Sequence, residues 1–530
     1  MTITDIATTV SGSCAALLES NLTNATHACL DGLVEVDPLG AGSRGLWDDM
    51  TATAFLPFRV VGCAIVAVWC LAMTAALYTW ITSLIPTLIW DKKGLKPQRL
   101  DQNVWTIHGK KYDLSSWAKD HPGGELMINL GRNRDCTGLF ESYHAFIDRA
   151  KLFKVLARFE IHSEKEVTGA AEPAQSQAED NLTGLEFGDP FHEDVKLMVR
   201  EHFQNGKKSH KMKPWVACVM ISLIISEVVL AYMWLQGSAV AMVLLPTVGW
   251  LLCCNVAHDG SHFAVSKRPW LNVLASHAGM PFCFPSITWH VQHVVQHHVY
   301  TNDEDDVDLY HFLPVVRTSA ITKFSNRFKL QWLSVFFVLP TTVGHLMFIV
   351  PMDLLSGGLD MITGEKRYSQ CRGLEDTVSR YSGRIWAEFA FCLSWWILAI
   401  FNFGVLEGSR RAILTYAISS AWFICVTQGA HLQKECMVDH GDKSWAKRQS
   451  RTSLNFCCDS TFWLILTGGL NMQSLHHVVP PIGSSHFADM WPAYKKVCEK
   501  HGVHVKEAKG PWDFIKGFMR WIAELAEEEK

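Results

Sequence analysis

No run of lysine and arginine marks these 530 residues, and the formal net charge is only -4. This excludes a chain built to hold nucleic acid on a basic face. Lysine is missing altogether from residues 1–57, which carry a single arginine, Arg44. No apolar core occurs near the start either, so the opening residues do not read as a secretory signal. The 16 cysteines lack the pattern of a disulfide framework. Many of them (Cys63, Cys70, Cys218, Cys253, Cys254, Cys392, Cys425) sit inside apolar stretches, where a thiol acts as a small hydrophobe. Most of the chain is therefore expected to be reduced or membrane-buried. What is abundant is apolar. Hydrophobic residues make up 48% and there are 21 tryptophans, yet mean hydropathy is only +0.08. Together these predict a membrane protein with sizeable polar parts, and the length leaves room for more than one domain.

The apolar runs set the organisation. Residues 58–90 are long enough to cross a bilayer, which takes about 20 residues. Lys92, Lys93, Lys96 and Arg99 follow directly. Because basic residues favour the cytosolic flank, the first span should leave residues 1–57 outside and residue 91 onward in the cytosol. The seven acidic side chains of residues 1–57 and the sequons at Asn21 and Asn24 fit a lumenal tail, in which Cys14 and Cys29 can pair. A cytosolic tail is the alternative, with the apolar run as a tight hairpin. Residues 97–162 read as a compact polar-surfaced domain. Residues 163–190, rich in Glu, Ala, Ser, Gln and Gly, read as a linker that reaches roughly 25–30 Å, with Asn181 bare in the cytosol. Four further spans are expected in two hairpins: Trp215–Leu235 with Ala239–Ala257, and Trp386–Leu406 with Ala412–Gly429. Apolar segments near 272–288 and 330–351 contain proline and polar breaks and are read as interfacial or re-entrant. Residues 430–530 are mostly polar.

Four short stretches beside these spans carry the chemistry. They are His258-Asp-Gly-Ser-His262, His293-Val-Val-Gln-His297-His298, Gln473-Ser-Leu-His476-His477 and a lone His431. On an α-helix, residues four apart share a face, so His258 with His262, and His293 with His297, should each aim two imidazoles at one spot. One such pair alone reads as an interfacial histidine. Three sets, each at the end of a long apolar segment, point to metal, since neutral imidazole is a ligand for iron or zinc. The five expected crossings put every set on the cytosolic face. His290 is expected to be no ligand. The acidic run Asp303-Glu304-Asp305-Asp306-Val-Asp308 reads first as a solvated loop, the alternative being that some of its carboxylates orient ligand imidazoles. Asp259, inside the first set, is the preferred residue for orienting a ligand imidazole.

Two resemblances follow from these residues. His121-Pro-Gly-Gly124 followed by Phe140-Glu-Ser-Tyr-His144 resembles a cytochrome b5 domain. The resemblance implies haem b held between His121 and His144, closed to dioxygen and serving electron transfer. Residues from about 190 to 520 resemble the membrane fatty-acid desaturases, whose three histidine boxes match as HxxxH, HxxxHH and QxxHH. Gln473, where many desaturases have histidine, together with the fused haem domain resembles the front-end subgroup. His431 matches a further ligand of the wider family. The fold class implied is mainly α: a polytopic helical membrane domain, 191–530, joined to an α+β cytochrome b5-like domain.

The family resemblance implies two non-haem iron ions on His258, His262, His293, His297, His298, His431, His476 and His477, with Gln473 in the catalytic set. It implies an O2-dependent enzyme of the endoplasmic reticulum, using electrons from NADH-cytochrome b5 reductase or an equivalent. The substrate implied is a fatty acyl chain on CoA or a lipid. A cis double bond enters between an existing one and the carboxyl end, and QHVVQHHVYTN and HDGSHFAVSKRP resemble the Δ5 branch. Alternatives are a Δ8-sphingolipid desaturase, a fatty-acyl hydroxylase, and a membrane-tethered b5 electron carrier whose second half holds no metal. Three departures stand out. The first 90 residues are additional, the third box reads Met-Gln-Ser-Leu-His-His, and His290 precedes the second box.

Overall fold

The computed structural model describes residues 103–162, 184–356, 374–438 and 441–527. The expected tail at 1–57, the span at 58–90, the three sequons, the Cys14–Cys29 pair and residues 163–183 of the linker lie outside the described residues.

The haem-type domain is small and mixed. Strand β1 (Trp105–Ile107) pairs antiparallel with β2 (Lys110–Tyr112), Trp105 opposite Tyr112. Helices α1 (Glu125–Leu130), α2 (Thr137–Tyr143) and α3 (Arg149–Leu156) pack with this hairpin. Trp105, Ile107, Tyr112, Leu114, Ile128 and Phe140 form their shared core.

The expected linker is shorter than its composition suggests. Leu185 is buried, Phe187 stacks on Trp445, and Glu186 takes a backbone bond from Trp445. Two apolar anchors in a polar stretch are enough to tie it down. Helix α4 (Pro190–His202) then begins with Asp189 accepting from the Phe191 and His192 amides and proline in the first turn, a strong start signal.

Helix α5 (Pro214–Leu235) is apolar all round and exposes Ile221, Ile225, Val228, Val229 and Tyr232. An apolar surface of this extent suits lipid. It pairs with α6 (Ala239–Ser261). Segment 269–285 enters as a short helix and a turn, and α7 (286–300) returns carrying the second histidine set. Neither is long enough to span, as the polar breaks implied.

Helix α8 (Asn326–Leu355) differs from expectation in length: 30 residues, apolar enough to cross a membrane. Its breaks are absorbed locally, Thr341 and Thr342 bonding back to the Val338 and Leu339 carbonyls around Pro340. Its start is tied to the C-terminal part of the chain, where Gln331 donates to the Ile522 carbonyl. The next helix, α9 (Leu374–Phe403), is bound near its start to the haem-type domain through the Arg134–Thr377 bond.

α9 and α10 (Val405–His431) form the second hairpin. The reversal sits at Gly404, with φ +79°, rather than after Leu406. Glu407 explains the shift, since its ion pairs with Arg410 and Arg411 lie within the first turn of α10 and favour helix there. Five helices among the described residues are long and apolar enough to cross a membrane. Helices α11 (Trp445–Arg451), α12 (Gln473–Val478) and α13 (Phe487–Lys500) share a core with α4, and α14 (Pro511–Glu524) packs Phe518 and Ile522 against Val335 of α8 and Ile424 of α10.

Candidate metal centre and haem crevice

Helices α6, α7 and α10 each widen where their histidines sit. The backbone passes into i→i+5 turns at Cys253–Ala257 before His258, across His290–His297, and at Ile424–Gln428 before His431. Such wide turns are rare and gather at functional sites, because they re-aim side chains without ending the helix. Gly260, inside the first set, permits close approach. A Cβ there would lie 2.6 Å from the Ser276 amide nitrogen.

The sets converge into two adjoining groups. His258, His262, His293, His298 and His476 form one, and His297, His431 and His477 the other. Within each, the ring nitrogens lie within 4.8 Å of one another. The ring nitrogens come from four separate parts of the chain. All eight rings are buried. The expectation that His293 and His297 share one spot is corrected. His293 shares its group with His298, five residues on, and His297 belongs to the other. The wide turn accounts for this, because an i→i+5 repeat stacks residues five apart where an α-helix stacks those four apart. His258 and His262 do share a group.

Hydrogen bonding alone cannot satisfy these nitrogens. His293 Nε2 faces His258 Nε2 at 3.2 Å, and His262 Nε2 and His298 Nε2 at 3.1 Å each. One ring nitrogen offers either one proton or one lone pair, never three partners. Burial lowers the pKa of His262, His293, His298, His476 and His477, which keeps them neutral, the ligating form. Nitrogen lone pairs turned on one another in a dry pocket need a cation. The donor set fits two metal ions of the iron type.

The outer nitrogens are held in place, as ligand imidazoles require. His297 Nδ1 meets Asp306 Oδ2 at 3.0 Å, His431 Nδ1 the Thr452 carbonyl at 2.9 Å, and His477 Nδ1 Gln449 Oε1 at 2.9 Å. His262 Nδ1 meets the Tyr143 hydroxyl at 2.7 Å. Burial alone would lower the pKa of His297, but the Asp306 and Asp308 carboxylates outweigh it and raise it to about 9. Asp306 and Asp308 are buried while Glu304 is exposed, so the acidic run divides between site and solvent. Asp259 instead receives the Ser484 amide and hydroxyl, both at 3.0 Å, and among its hydrogen bonds none reaches a histidine. His290 stays outside both groups, with Nδ1 on the Ser286 carbonyl. The acidic run was the only sequence signal for these supports. Nothing marked Gln449, Thr452 or Tyr143.

Gln473 sits against the second group, its amide nitrogen 2.9 Å from His431 Nε2 and 3.4 Å from His477 Nε2. Its Oε1 is buried with no hydrogen-bond partner. Amide oxygen and nitrogen are interchangeable in such an assignment, so the oxygen can face the same nitrogens across a metal.

In the small domain, His121 and His144 face each other with ring centroids 6.2 Å apart. Two nitrogen–metal bonds of about 2 Å fit that gap. Their Nδ1 atoms meet the Gly124 and Phe140 carbonyls, which turns Nε2 toward the space between. A cavity of about 400 Å³ opens around them, lined by Trp117, Met127, Leu139 and Phe140. The fit is to a flat, apolar, bis-histidine cofactor, namely haem. Phe263, Lys267, Pro269 and Pro481 line the same cavity from outside the small domain.

Comparisons with known proteins agree with this geometry. Residues 232–509 match the family described as fatty acid desaturase, and residues 92–162 the cytochrome b5-like heme/steroid binding domain. The acyl-lipid omega-13 desaturase of Chlamydomonas reinhardtii is 31% identical over 448 residues, covering 77% of this chain and 90% of that protein. The acyl-lipid (8-3)-desaturase of Physcomitrium patens is 27% identical over 419 residues, covering 75% and 82%. Fatty acid desaturase 3 of Homo sapiens is 24% identical over 438 residues, covering 79% and 88%.

Proposed function

This chain belongs to the fatty acid desaturase family, with a cytochrome b5-like domain on the same polypeptide, and we propose that it is a front-end desaturase of polyunsaturated acyl chains. It is an integral membrane enzyme whose cofactors are haem and a non-haem iron pair. The observation that carries the proposal is the pairing of two buried histidine groups with Gln473 beside the second. When bound, the iron pair supplies the dioxygen-derived oxidising power that no side chain has, and the haem supplies single electrons.

The residues do the rest. His258, His262, His293, His298 and His476 hold one ion; His297, His431 and His477, with the Gln473 oxygen, hold the other. Asp306, Gln449 and the Thr452 carbonyl fix the tautomers that turn Nε2 inward. Residues 97–162 act as the haem domain and 191–530 as the desaturase domain. The basic flank after residue 90 supports a cytosolic site on the endoplasmic reticulum, fed by NADH-cytochrome b5 reductase or an equivalent.

The relatives' names favour carbon five. A bond three carbons to the carboxyl side of one at carbon eight is at carbon five, as the (8-3) names have it. The omega-13 name agrees only for an eighteen-carbon chain, since thirteen carbons from the methyl end of a C20 chain is carbon seven. We assign Δ5 activity, with a C20 chain unsaturated at Δ8 as substrate. The bare electron carrier does not fit two intact histidine groups. Product analysis separates the sphingolipid desaturase and the hydroxylase.

The test is expression in yeast fed C18, C20 and C22 polyunsaturates, with products located by mass spectrometry. A new bond at the same carboxyl-counted carbon across chain lengths is expected. A bond at fixed distance from the methyl end, or a hydroxyl product, would overturn the front-end reading.

A further inference from the structure

The haem-type domain is docked, not merely tethered. Glu141 on α2 meets Lys196 on α4 at 2.8 Å, with both side chains under one-tenth exposed, and Arg149 at 3.2 Å. Arg134 bonds Thr377 at 3.0 Å. A Cβ on Gly138 would lie 2.9 Å from Val299 on α7, so α2 rests directly on the helix that bears the second histidine set.

One residue of α2 reaches further. Tyr143 is the chain neighbour of His144, and its ring lines the haem cavity. Its hydroxyl lies 2.7 Å from His262 Nδ1, and the two rings are near parallel, 21° apart with centroids 6.4 Å apart. On its other side, His262 Nε2 lies 3.1 Å from His293 Nε2, inside the first group. A continuous path therefore runs from the His144 ring, through one peptide unit, the Tyr143 ring and one hydrogen bond, to a candidate ligand. No solvent-filled gap interrupts it, and tunnelling through bonded atoms is far more efficient than through space.

We infer that Tyr143 is a positioning residue for electron delivery, coupling the haem crevice to the metal groups through its hydrogen bond with His262. This rests on the proposed function, which puts haem between His121 and His144 and a metal on His262. With Nε2 facing the metal, His262 Nδ1 carries the ring proton and donates to the tyrosine oxygen. Each passage moves one electron. The ferrous haem becomes ferric, the metal centre is lowered by one, and a nicotinamide-dependent reductase restores the haem. No bond forms or breaks at Tyr143, and its protons stay in place.

Tyr143→Phe keeps the ring and removes the hydroxyl. The test uses the full-length protein loaded with haem and iron, its haem reduced without oxygen, then mixed rapidly with dioxygen and acyl substrate while the haem absorbance is followed. Losing the partner of a ligand imidazole costs about 10–100-fold, so haem reoxidation should slow on the order of ten- to a hundredfold. With iron supplied in excess, so that a weakened site stays filled, haem content, iron content and the rate of haem reduction should match the unaltered protein. A small soluble reductant that reaches the metals directly should restore single-turnover desaturation. Reoxidation at the unaltered rate would overturn the inference, as would a turnover defect that persists with the soluble reductant. Failure of the unaltered protein to bind iron, or to reoxidise its haem with substrate, would instead remove the functional reading underneath.

Discussion

Asp306→Asn probes the second histidine group from just outside it. Asp306 Oδ2 accepts from the Asn302 amide at 2.7 Å and meets His297 Nδ1 at 3.0 Å, while Oδ1 accepts from the Asp308 amide at 3.1 Å. Asparagine keeps one acceptor and turns an NH2 toward a donor, so a buried N–H must lose its partner. That costs about 1–3 kcal/mol of stability. For the metal, losing the support of a ligand imidazole costs about 10–100-fold in affinity. At about 1.4 kcal/mol per tenfold, this is about 1.4–2.8 kcal/mol. The expected phenotype is a folded protein that surrenders iron to a chelator at roughly ten- to a hundredfold lower concentration, with desaturation reduced in step.

Proton competition adds a second signature. In the metal-free protein the two carboxylates raise the His297 pKa to about 9, above its ordinary value near 6.5. Their contribution to metal-free stability is therefore full below about pH 6.5 and is lost as pH rises through 9. Metal loading must displace that proton, so it should improve over the same interval, and Asp306→Asn should flatten the dependence. The assay is bound iron against chelator concentration at several pH values, alongside product yield at matched expression. Full iron retention and full product yield in the variant would return Asp306 to the solvated loop and refute the reasoning.

Three further outcomes are expected. His262→Ala, His298→Ala or His477→Ala should each abolish desaturation and lower bound iron, and full activity in any of them removes that residue from the centre. His121→Ala should erase the haem absorbance and most activity while leaving the iron content intact; normal turnover sustained by free cytochrome b5 would show that the fused domain is not the main donor. Glu141→Gln should leave the buried Lys196 charge with Glu193 alone, at 3.2 Å, a loss of about 1.5–3 kcal/mol in the docking of the haem domain, read as faster limited proteolysis. Burial alone would raise the Glu141 carboxyl, but His108, Lys196 and Arg149 outweigh it and hold it well below the usual range. Its stabilising effect is thus complete above about pH 4.3 and declines only in stronger acid. Equal protease resistance with and without the Gln substitution would count against this lock.

The gathering of the histidines was legible in part, because several imidazole sets at the ends of apolar spans point to metal; His431 and Gln473 took their roles from the family resemblance. The facing pair His121 and His144 was legible through the resemblance of HPGG and the histidine that follows it to a cytochrome b5 domain. The hairpins were legible from hydropathy, although the reversal at Gly404 was not, because local ion pairs of Glu407 outweigh the loss of apolar length.

What the amino-acid order alone determined is the chemistry on offer: sets of imidazoles suited to metal, a histidine pair that resembles a haem site, and apolar runs that bind the whole to a membrane. Only the tertiary structure decided how they divide. His297 and His298 are chain neighbours in different groups because a wide turn, formed against packed neighbours, changes which residues share a face. Asp306 rather than Asp259 supports a ligand because the loop after α7 folds back under it. Tyr143 meets His262 across 119 positions of sequence, a contact that no local pattern encodes and that exists only once the haem domain is seated. Spacing along a chain constrains neighbours on one helix, while contacts between helices follow from the packing of the entire fold.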